Sequence, residues 1–134
     1  MSNVLRVEHY DDTVEAALEA AAAAGVYIVA RIQDREAQSA AVNNGKVESV
    51  ATSRTLGLGI QAFVRSGHAG FASADRVDPE AARETVQAAA SLARAAQAFG
   101  TEPNPAIFDI PSNDRQLLVA GARPLGALPL DRAL

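Results

Sequence analysis

The sequence predicts an α+β domain in the order α-β-β-β-β-α: an antiparallel four-stranded meander with two helices packed on one face. Three observations predict it. Apolar residues recur at helical spacing before position 25 and again after position 78, they alternate with period two in between, and short turn-forming clusters cut the alternating stretch. Strands joined by short turns pair antiparallel, because parallel neighbours need a long crossover. A helix on either side of such a meander then has one sheet face to cover.

The first helix is predicted over 13–24. Asp12 stands where an N-cap belongs, with Glu15 three residues on as in a capping box. Val14, Ala17, Leu18 and Ala21 share one face, and Gly25 suits the left-handed position that closes a helix. The period then changes to two. Val26, Ile28, Ala30 and Ile32 point one way, and Tyr27, Val29 and Arg31 the other. This strand continues through Ala40 and Val42, with a bulge expected near 34–38, to the turn Asn43-Asn44-Gly45. Asn and Gly tolerate the positive φ of a tight hairpin, so 46–53 is predicted to return antiparallel. Leu56, Leu58, Ile60, Ala62 and Val64 make a third alternating run. Ser66-Gly67 is a turn, and 68–73 a fourth strand with Phe71 inward.

The second helix has the strongest signals. Asp78 caps it, Pro79 takes the first helical position where a missing N–H costs nothing, and Glu80 complements the positive dipole end. Ala82, Val86, Ala89, Ala93 and Ala96 form its apolar stripe, with Glu80, Glu84, Gln87, Ser91 and Arg94 opposite and Gly100 at its end. The domain is therefore expected over 1–100. A Pro/Gly-rich linker or disordered tail is expected over 101–134, where Pro103, Pro105, Pro111, Pro124 and Pro129 interrupt any long element.

Composition narrows the function classes. Apolar residues make up 49% and charged ones 21% of 134 residues, the balance of a folded domain rather than a disordered chain. A net charge of −4 offers no basic face for phosphates, so no nucleic-acid partner is expected. The absence of cysteine excludes disulfides, thiolate metal sites and a cysteine nucleophile. The opening Met-Ser-Asn-Val-Leu-Arg carries no apolar signal-peptide core, and Glu19 and Arg31 interrupt the longest apolar stretch. Cytoplasmic localisation without a membrane partner is the expectation.

The chemistry-bearing residues are few. His9 and His68 are the two histidines, far apart in sequence and without a glutamate in the frame a helical zinc site needs. Ser73, His68 and Asp75 are close in sequence, but Ser73 lacks the Gly-x-Ser-x-Gly context of a nucleophile elbow. Gly57-Leu58-Gly59 enters a strand rather than a helix, so it reads as a close backbone approach and not as a phosphate loop. Arg31, Arg54 and Arg65 are exposed strand positions first, and candidates to meet peptide carboxylates second. No catalytic, cofactor-binding or metal-binding residue is assigned. A meander leaves two edges, and an added peptide strand on one of them is a binding mode open to this fold.

Several blocks in this order carry a family resemblance: 24–31 (Ala-Gly-Val-Tyr-Ile-Val-Ala-Arg), 44–50 (Asn-Gly-Lys-Val-Glu-Ser-Val), 56–62 (Leu-Gly-Leu-Gly-Ile-Gln-Ala) and 70–73 (Gly-Phe-Ala-Ser). Asp78-Pro79-Glu80 then leads an alanine-rich helix. Together they resemble the amino-terminal domain of the TldD/PmbA metalloprotease family, once called modulators of DNA gyrase, with the 70–73 block closer to the TldD branch. The resemblance implies a non-catalytic domain of a zinc peptidase that processes or degrades peptides. It places the zinc in a carboxy-terminal domain that this chain is expected to stop short of, and it implies a homo-oligomer or a TldD/PmbA-type partner subunit. The alternatives are a free-standing peptide-binding or interaction module acting in trans, and a folded remnant of a truncated gene, since the composition of 101–134 does not resemble the family's continuation.

Overall fold

The structure, a computed structural model, describes residues 10–100, 102 and 105–111. His9 and most of the 101–134 segment lie outside them. The elements are α1 (Asp11–Ala24), β1 (Tyr27–Asn43), β2 (Lys46–Phe63), β3 (Ala69–Ala74), α2 (Pro79–Ala98) and a 3-10 helix at Pro105–Asp109. The class is α+β, with one three-stranded antiparallel sheet in the order β1-β2-β3.

The predicted fourth strand is absent because two predicted strands are one. Arg54-Thr55, between the runs 46–53 and 56–64, contains neither Gly, Pro, Asn nor Asp to reverse the chain, and β-branched Thr55 prefers extended backbone. Strand β2 therefore continues from Lys46 to Phe63. The turn between β1 and β2 falls where predicted: Asn44 and Gly45 have φ of 50° and 76°, the pair of positive values a type I′ hairpin requires. After β2, the Gly67 N–H donates to the Val64 carbonyl at 2.8 Å and the Val64 N–H to the His68 carbonyl at 3.0 Å, closing the second hairpin. Strand β3 then pairs with β2 in the register Leu58↔Ala74, Ile60↔Ala72 and Ala62↔Gly70.

The chain divides into two compact units. One includes residues 34–55, the far half of the first hairpin. There the Arg54 guanidinium donates twice to the Asp34 carboxylate, at 3.0 and 2.8 Å, and the Asn43 amide donates to Glu48 at 3.0 Å.

The other unit, residues 6–33 and 56–112, holds both helices and the core. Ala16, Ala17, Ala20 and Ala21 of α1 and Ala82, Val86, Ala89 and Ala93 of α2 pack with Ile28, Leu58, Ile60, Ala62 and Val64 from one sheet face. Most of these side chains are alanine, so backbones approach closely. The limit is Gly70, where an added Cβ would overlap the Ala89 carbonyl oxygen, the Ala93 nitrogen and the Leu92 Cβ.

Helix α2 keeps its predicted cap: the Asp78 carboxylate accepts the Ala81 N–H at 2.7 Å, and Pro79 leads the helix. Helix α1 differs. It begins at Asp11, its N-cap is Tyr10 without a side-chain hydrogen bond, and Asp11 and Asp12 lie within the first turn, where negative charge meets the positive dipole end. Its buried face is rotated from the predicted one to Thr13, Ala16, Ala17, Ala20 and Ala21, leaving Leu18 56% exposed. Gly25 closes it at φ 67°, and the Arg94 guanidinium of α2 donates to the Ala24 carbonyl at that same end.

Candidate functional site

The helices cover one face of the sheet, so the chemistry-bearing residues collect on the other. Strand alternation assigns them: the residues turned from the core are odd-numbered on each strand. Val29, Arg31 and Gln33 come from β1, Gly57, Gly59 and Gln61 from β2, and Phe71 and Ser73 from β3, followed by Asp75. They line a groove of about 580 Å³.

The central strand makes the groove. Gly57 and Gly59 leave two positions in the middle of the sheet without side chains. A Cβ at Gly59 would touch the Phe71 ring at 3.4 Å, whereas one at Gly57 would meet only the Ala74 carbonyl oxygen at 3.8 Å. The floor over Gly57 is therefore open backbone, with the Phe71 ring beside it. Phe71, predicted inward, is 61% exposed. The helix-facing positions of β3 must be small because α2 presses on Gly70, so the ring takes the open face.

On β1 the groove wall carries the Arg31 cation, and on the β3 side it carries the Asp75 carboxylate. Neither has an ion-pair partner among the described residues. Beyond β1's start the same face continues in rings: Tyr27 lies 6.0 Å from Phe63 and meets Phe108 of the 3-10 helix edge-on at 5.7 Å. The chain after α2 thus returns to the sheet at Tyr27.

The structure separates the other candidates. Arg54 is bonded to Asp34 in the hairpin unit, and Arg65 is exposed beyond the end of β2 and does not line the groove. Ser73 and Asp75 share the groove, but His68 lies in the β2–β3 turn, hydrogen-bonded to the Ser66 hydroxyl at 2.5 Å. Ser73 stands five positions further along the chain, roughly 16 Å in extended backbone. The three do not meet as a nucleophile, base and orienter. Gly57 and Gly59 are strand residues, and no helix begins beside them to offer its dipole to a phosphate. Among the described residues no three His, Cys, Asp or Glu side chains gather to hold a metal ion, and the one described imidazole is that of His68. The donor set of the described residues does not fit zinc. The groove itself was within reach of sequence reasoning: the two glycines, Arg31 and Ser73 share a parity along their strands, and only the expected division of β2 into two strands hid their common face.

Residues 29–93, just under half of the chain, match the family described as PmbA/TldA metallopeptidase domain 1. The match starts on β1, includes every groove-lining residue, and ends on the buried stripe of α2. This segment is similar to a PmbA/TldD-type first domain. No curated protein matches the chain. The matched segment contains the first hairpin except Tyr27 and Ile28, the glycine-floored groove and the capped start of α2, while α1 precedes it. No helix among the described residues is long and apolar enough to cross a membrane, a statement that leaves strand-built barrels aside.

Proposed function

We propose that this chain serves as the non-catalytic first domain of a TldD/PmbA-type zinc metallopeptidase, nearer the TldD branch, acting in peptide processing or degradation in the cytoplasm. The observation that carries the proposal is the domain 1 match over residues 29–93. In this reading the zinc and the peptide-cleaving groups belong to a second domain, and this domain supplies a wall of the peptide chamber and contacts to another subunit, either a second copy or a TldD/PmbA-type partner.

Separately expressed second domain of a TldD-type peptidase tests the reading. Mixed with this chain, it is expected to co-elute with it as one species in size-exclusion chromatography. Independent elution at micromolar concentrations of both would count against the proposal.

A further inference from the structure

We infer that the groove over Gly57 binds short unblocked peptides as zwitterions, the terminal carboxylate on Arg31 and the terminal ammonium on Asp75. The two charged groups have opposite sign, stand on opposite walls and lack ion-pair partners among the described residues. Arg31 is on β1 and Asp75 directly follows β3, with β2 between them, so their backbones are at least about two interstrand spacings apart, roughly 10 Å. An extended tripeptide spans about the same length. The floor between the walls is the open backbone at Gly57, where a ligand chain can lie with nothing to displace. Phe71 and Val29 offer it apolar contact.

The central strand's own backbone groups are turned to its two neighbours, so the ligand crosses the strands and is held by its ends. Recognition of both termini selects for length: one residue cannot reach both walls, and a long chain cannot place both ends. A capped peptide presents only one charge. The chemistry suits products of peptide hydrolysis, each of which carries a free amine and a free carboxylate. This inference concerns the chain alone and holds whether or not a second domain completes it.

Isothermal titration of the full chain with Ala-Ala-Ala, N-acetyl-Ala-Ala-Ala and Ala-Ala-Ala-amide tests it. The unblocked tripeptide is expected to bind at millimolar concentration, and each capped form about 5-fold or more weaker, as for loss of one partly screened charge pair. Arg31→Gln should weaken the unblocked peptide and leave the amide form unchanged, and Asp75→Asn should do the same with respect to the acetylated form. Gly57→Leu, which fills the floor without removing a charge, should abolish binding while the far-ultraviolet circular dichroism is retained. Equal affinity for capped and unblocked peptides, an Arg31→Gln variant that binds all three as before, or no binding at millimolar peptide would each overturn the inference.

Discussion

Gly57 and Gly70 both sit in extended backbone with ordinary φ, yet they do opposite things. Gly70 is required because α2 lies against it, and Gly57 because the groove lies over it. Gly70→Ala is therefore expected to destabilise the domain by about 1–3 kcal/mol through overpacking. Gly57→Ala should change stability by less than about 1 kcal/mol, since the added methyl meets only an ordinary contact. Urea unfolding of the two variants checks the contrast. Phe71 follows the same logic: being 61% exposed, its replacement by alanine should cost about 0.5 kcal/mol or less, not the several kcal/mol of a core ring. Its outward placement could not be read from alternation, because period two gives two faces without saying which is buried. The choice was made by α2, whose close approach at Gly70 leaves no room for a ring.

At the scale of elements, local chemistry was a good guide where it was unambiguous. The Asp78-Pro79-Glu80 start of α2, the Asn44-Gly45 turn and the Gly25 stop all stand in the structure as their residue types require. Asp78→Ala removes the acceptor of the Ala81 N–H and is expected to cost about 1 kcal/mol, with the loss visible in thermal unfolding. Val86 has no exposed surface and lies within the core cluster, so Val86→Ala should cost about 2 kcal/mol in the same assay. Legibility ended at two places. Asp12 offers an N-cap by type, but the N-cap is Tyr10 and the helix starts at Asp11, two residues earlier than a cap at 12 allows. Strand β2 is longer than most strands, so its two alternating runs read as separate elements although nothing at Arg54-Thr55 turns the chain. That expected break hid the groove, because it put 46–53 between β1 and the strand of Gly57 and Gly59, whereas the continuous β2 sets those glycines on the strand next to that of Arg31.

At the scale of the whole molecule, the helices, core and groove form one compact unit, and the far half of the first hairpin belongs to another. A family expectation reached from residue blocks coincides with a domain match over residues 29–93, which ties the account to peptidases through a domain whose described surface has no metal-holding cluster. Under the proposed function, catalysis in this system requires groups outside this domain. The direct measurement is peptide hydrolysis by the purified chain in the presence of zinc, alone and after addition of a TldD-type second domain, each with and without a chelator. The expected result is no hydrolysis by the chain alone and chelator-sensitive hydrolysis by the mixture above that of the second domain by itself. Chelator-sensitive hydrolysis by the chain alone would contradict it.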